Sequence, residues 1–141
     1  DIIEAGYTIK YDPEGIVYHH RRSDLLKHFK QIGNYALHRG FFAKKYPRTS
    51  LKIGYFAPTL FVLYLLFLIL ISFRISNFEF RILSLIPLFI YTLGLVIDAA
   101  IISCRWKNPI IGVLTIPMIL FTHIWYGIRF VWGLIIPKLD R

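Results

Sequence analysis

The chain has 141 residues, 56% of them hydrophobic and 17% aromatic, with 18% charged and a formal net charge of +9. A soluble domain usually carries about 25% charged residues, so an ordinary water-soluble globule is disfavoured and the two ends of the chain must be read separately. The single Cys104 excludes an internal disulfide framework and a cysteine-based zinc site.

The chain opens at Asp1 without the basic, apolar and cleavage regions of a signal peptide. It reads as the C-terminal piece of a longer protein. Residues 7–11 (YTIKY) alternate as a strand does. Asp12-Pro-Glu-Gly15 carries turn residues at the positions a type I turn prefers. Extended character resumes over residues 16–20 (IVYHH). This pattern predicts a β-hairpin, which alone is marginal in water and calls for a larger sheet upstream.

Ser23 is placed to cap a helix, with Asp24 in its first turn. The helix is predicted to run to about Lys45 and to stop before Pro47. At 100° per residue, Leu25, Leu26, Phe29, Ile32, Gly33, Ala36, Leu37 and Gly40 share one half. The other half holds His28, Gln31, Asn34, Tyr35, His38, Arg39 and Phe42. Gly33 and Gly40 each cost about 1 kcal/mol of helix propensity relative to Ala. Their place on the apolar side predicts close packing on a partner rather than a helix floating alone. On the polar side, Gln31, Tyr35 and Arg39 recur every fourth residue and form one line. An amide, an aromatic ring and a guanidinium suit a sugar beside a diphosphate. The plainer alternative is a solvated amphipathic face.

Three apolar runs follow: Ile53 to Phe73, Ile82 to Ser103 and Pro109 to Pro137. Each is long enough to cross a hydrocarbon core of roughly 30 Å as a helix. Lys and Arg crowd into residues 1–52, including Lys44-Lys45-Tyr46-Pro47-Arg48, and the turn 104–108 adds Arg105 and Lys107. That bias predicts a multi-pass cell-membrane protein with residues 1–52 and 104–108 cytoplasmic, and the loop 74–81 and the C-terminus outside. It assigns the positive charge to membrane lipids, not to nucleic acid. Arg129 is predicted to snorkel outward beside an aromatic belt of Trp125, Tyr126 and Trp132. His123 is read as a neutral side chain hydrogen-bonded to a neighbouring helix.

The expected architecture is a mainly α membrane protein: a short β-hairpin, an amphipathic interfacial helix, then three transmembrane helices. Residues 1–22 form the hairpin unit, 23–52 the interface helix and basic linker, and 53–141 the anchor.

Residues 4–19 (EAGYTIKYDPEGIVYH), then His19-x-x-Arg22, then Gln31-Ile-Gly-Asn-Tyr35 resemble the end of the catalytic domain in membrane-anchored family 2 glycosyltransferases. That group includes the cellulose and hyaluronan synthases. Asn34 and Tyr35 stand where the QxxRW motif of the processive synthases has Arg and Trp, which points to transfer of single sugars or short chains. The resemblance implies a GT-A catalytic domain, a nucleotide-sugar donor, a lipid-linked or saccharide acceptor, and Mg²⁺ or Mn²⁺. It implies that His19 contacts the metal and that Arg22, Gln31, Tyr35 and Arg39 line the acceptor or diphosphate. The family's metal-binding DxD and catalytic-base Asp have no match here, so no catalytic residue is assigned and the chain is expected to be inactive alone. The competing expectation is a non-enzymatic membrane anchor or subunit with a basic amphipathic helix.

Overall fold

The structure, a computed structural model, describes residues 5–8, 10–18, 24–74 and 77–139. It is mainly helical. The elements are α1 (Leu25–Lys45), the short α2 (Pro47–Ser50), a 3₁₀ turn (Ile53–Phe56), α3 (Ala57–Arg74), α4 (Phe78–Trp106) and α5 (Pro109–Ile135).

The expected β-hairpin is not found among the described residues; Ile9, His19 and His20 lie outside them. Its turn forms, with the Glu14 N–H donating to Asp12 Oδ1 at 3.0 Å and the Ile16 N–H to the Glu14 carbonyl at 2.9 Å. The described residues on either side adopt no strand, and Tyr11 and Tyr18 are 85% and 91% exposed. Alternation creates a strand only where a sheet waits to pair with it, and no sheet exists among the described residues.

The cap of α1 also differs from expectation. Asp24, in extended conformation, is the N-cap, and its side chain accepts from the Leu26 N–H at 2.9 Å. Ser23 lies outside the described residues. The other end is as anticipated: α1 closes at Lys45, just ahead of Pro47, whose ring restricts the residue before it and whose nitrogen has no hydrogen to donate.

Ile53–Arg74, Phe78–Trp106 and Pro109–Ile135 are helical stretches long and apolar enough to cross a membrane. Their side chains show what surrounds them. Leu70 and Phe89 are 64% and 68% exposed, an arrangement that lipid tolerates and water does not. At 29 residues, α4 would measure about 44 Å if straight, more than a hydrocarbon core of roughly 30 Å. Pro87 interrupts it, as Pro117 interrupts α5.

Close packing is set by small residues. A Cβ on Gly112 would meet Ser103 Oγ and the Ala99 carbonyl, which locks α4 on α5. A Cβ on Gly127 would lie 2.5 Å from the Pro58 carbonyl oxygen, which locks α3 on α5. Beside it the buried Thr59 hydroxyl donates to the Gly127 carbonyl at 3.2 Å. As expected of His123, its ring is hydrogen-bonded to a neighbouring helix, with Tyr91 Oη on α4 2.8 Å from Nδ1.

Contact order along these helices fixes their sense. Pro58 meets Gly127 and Phe61 meets His123, so α3 and α5 run oppositely where they touch. Tyr91 meets His123 while Gly112 meets Ala99, so α4 and α5 do too. Phe61 meets Tyr91 and Tyr64 meets Ser84, so α3 and α4 also run oppositely. Three straight rods along one axis cannot be mutually antiparallel. The helices are therefore inclined or bent relative to one another, and α3 does not run alongside α5 in the same direction, as three simple alternating spans would require.

Candidate functional site: the polar face of α1 against α5

The apolar side of α1 packs along the second half of α5, and the two helices run in the same sense. The Phe29 carbonyl accepts from Trp125 Nε1 at 2.9 Å, and Lys44 Nζ donates to the Ile136 carbonyl at 2.5 Å. Between these ends the glycines act as the sequence suggested. A Cβ on Gly33 would lie 2.5 Å from Trp125 Nε1. Gly40 and Gly133 face each other: a Cβ on the first would strike the Phe130 carbonyl, and one on the second the Leu37 carbonyl. Ala36, Ala43 and Phe130 form the buried core of this contact, with Tyr55, Phe56, Tyr126 and Leu134 around it. Lys44 caps the Ile136 carbonyl at the negative end of the α5 dipole, where a cation is favoured.

Three of the anticipated site residues lie on one line. Gln31 Nε2 donates to Tyr35 Oη at 3.0 Å. Arg39 continues the line, but its guanidinium is already engaged. It donates to Tyr126 Oη at 3.2 Å, and its carbon sits 4.7 Å from the Tyr55 ring centroid. The hydrogen bond Arg39 donates to Tyr126 is the main reason its pKa is raised, with desolvation opposing it. Arg39 and Tyr35 remain exposed and Gln31 half-buried, so hydrogen-bonding and stacking capacity is left over on the open side. His38 bonds locally, its Nδ1 2.7 Å from the Asn34 carbonyl.

His19 and Arg22 lie outside the described residues. The described residues contain no group of three or more His, Cys, Asp or Glu able to hold a metal ion. The donor set that the implied Mg²⁺ or Mn²⁺ requires is therefore not found among them.

The sequence reading missed Tyr55 and Tyr126 as partners of Arg39. The sequence places Tyr126 only in an interfacial belt. Its place seven residues before Gly133 on one helix, with Gly40 directly after Arg39 on another, was the available signal once the two helices were paired.

Tyr126→Phe is expected to lower stability in detergent by about 1 kcal/mol, the scale of one hydrogen bond to a partly solvated cation. Its stacking on Phe130, at 6.2 Å between ring centroids, survives the change. The check is a denaturation midpoint of Tyr126→Phe against wild type.

No protein-family model matches the chain, and no curated protein or solved structure is detectably similar to it.

Proposed function

We propose that this chain is the C-terminal part of a membrane-bound glycosyltransferase that moves a sugar from a nucleotide-sugar donor to a lipid-linked or saccharide acceptor. The observation that carries this reading is the Gln31–Tyr35–Arg39 line on α1, in which Gln31 is hydrogen-bonded to Tyr35 and Arg39 is tied to α5 through Tyr126. Such a line can present an amide to sugar hydroxyls, a ring to a sugar face and a guanidinium to a diphosphate. Holding these groups in place before the substrate arrives reduces the entropy cost of orienting it. In transfer, the acceptor oxygen bonds to the anomeric carbon while the bond from that carbon to the nucleoside diphosphate breaks. Arg39, with Arg22, offsets the charge gathering on the leaving diphosphate. The metal-binding and base carboxylates come, in this reading, from an α/β domain upstream, and His19 lies at the junction with it.

The test uses membranes carrying the protein in its full natural reading frame, supplied with labelled nucleotide sugars. Gln31→Ala and Tyr35→Ala are expected to lower transfer at least about tenfold at unchanged membrane level. Transfer unaffected by both variants would overturn the assignment of these residues.

The second reading, a non-enzymatic anchor or subunit, is favoured by the inward turn of Arg39 and Lys44 onto Tyr126 and Ile136. It predicts no sugar transfer from any donor.

A further inference from the structure

Arg129 lines both grooves that flank the seam between α1 and α5. It does not simply reach outward to an interface. Its guanidinium carbon lies 5.7 Å from the Trp125 ring centroid, and its Nε is buried without a hydrogen-bond partner. One groove, about 450 Å³, places Lys30 and Asn34 with Arg129; the other, about 510 Å³, places Lys138 there. Among the described residues, no Asp or Glu lines either groove. Positive charge on the flank of a membrane helix without a counter-charge is costly, and an anion between the lysine and the arginine relieves that cost.

The shape of the first groove says which kind of anion. Phe29 and Trp125, which line it, also line an adjoining hollow of about 260 Å³ completed by Phe121 and Ile124. The surface therefore passes from cationic to wholly apolar without a break. A small hydrated anion gains nothing from the apolar end and a neutral hydrocarbon gains nothing from the cationic end. A phospholipid uses both. Arg grips a phosphate through paired N–H donors, Lys adds charge and the Asn amide a further hydrogen bond. Basic pockets between membrane helices hold anionic headgroups by this chemistry.

We propose that the Lys30–Asn34–Arg129 groove binds the headgroup of a net-anionic membrane phospholipid, with an acyl chain lying in the hollow formed by Phe29, Trp125 and Phe121. The site joins α1 to α5 and holds whichever reading of the function is correct.

The test takes the full chain in nanodiscs of equal phosphatidylcholine and phosphatidylglycerol, and counts co-purified lipid by native mass spectrometry. Wild type is expected to retain phosphatidylglycerol about tenfold over phosphatidylcholine. Arg129→Gln is expected to abolish that preference and Arg129→Lys to keep part of it. Lys30 is exposed, so Lys30→Gln leaves the fold intact and still weakens the preference several-fold. Excess glycerol phosphate, which has the headgroup chemistry but no chain, is expected not to displace the lipid. Equal retention of the two lipids in wild type would overturn the proposal. So would a preference unchanged in both Arg129→Gln and Lys30→Gln. Displacement by glycerol phosphate would overturn it in favour of a small-anion site.

Discussion

Gly133→Ala will destabilise the α1–α5 contact, although the same substitution at most helical glycines stabilises. Propensity alone favours Ala by about 1 kcal/mol in a helix interior. Against it stands the added Cβ, which would strike the Leu37 carbonyl and come within 3.0 Å of the Phe41 nitrogen. Both are backbone atoms of a packed helix and cannot swing aside as a side chain end can. Overpacking costs about 1–3 kcal/mol, and a collision with backbone falls in the upper part of that range, so after the gain of about 1 kcal/mol in propensity the net expectation is a loss of about 1–2 kcal/mol. Gly40→Ala faces the mirror-image collision with the Phe130 carbonyl and should lose a similar amount. The two are in direct contact, so their effects should not add: once α1 has moved away to admit one methyl, the second costs less. Gly94 supplies the contrast. It lies within α4, and a Cβ there meets nothing within 4 Å, so Gly94→Ala should be neutral or stabilising by up to about 1 kcal/mol. Denaturant titration in mixed micelles, followed by tryptophan fluorescence, reads wild type, the three single variants and the Gly40→Ala/Gly133→Ala double variant. Equal behaviour of Gly133→Ala and Gly94→Ala would remove the case that α1 is built into the helical bundle.

How much of this was visible in the sequence depends on the range of the forces involved. The extent of α1 was legible because Pro47 and the caps act within a turn. The packing role of Gly33 and Gly40 was legible because they sit on the apolar side, where a missing side chain has a purpose only if something comes close. What came close was not legible. Nothing near Gly40 names Gly133 as its partner, and the residue types around Arg39 do not reveal a tyrosine 87 positions away. Arg39 was read as a free phosphate clamp, and the structure shows it partly committed to Tyr126. Hydropathy ranks Arg129 by depth in a helix but says nothing of which side it faces, so the cover that α1 provides could not be foreseen. The hairpin failed for the opposite reason. Its period-two pattern is a real local signal, but the energy that turns alternation into strands comes from sheet neighbours, and none is found among the described residues. His19 and Arg22, which the resemblance ties to the metal and diphosphate, fall outside the described residues.

The proline inside α4 leads to a prediction that couples two distant residues. Pro87 has no N–H to give to the carbonyl of Leu83, and its ring pushes that carbonyl away. The next bond along the helix, from the Leu88 N–H to the Ser84 carbonyl, is strained by the same distortion. Tyr64 on α3 reaches both of these groups: its hydroxyl donates to the Ser84 carbonyl at 2.6 Å and accepts from the Leu88 N–H at 3.2 Å. In a membrane no water is at hand to do this, and an unmet backbone group costs several kcal/mol. Partial closure of the helix can recover some of that cost, so Tyr64→Phe is expected to lose about 2 kcal/mol. Pro87→Ala restores the N–H and straightens the ladder, leaving the tyrosine hydroxyl little to do. In the Pro87→Ala background, Tyr64→Phe should therefore cost well under 1 kcal/mol, and the double-mutant cycle should show a coupling of more than about 1 kcal/mol. The same denaturant titration measures it, with hydrogen exchange at Leu88 as a local readout that should speed up in Tyr64→Phe alone. Additive losses in the cycle would mean that Tyr64 stabilises α4 by ordinary packing and that the helix bends without its help.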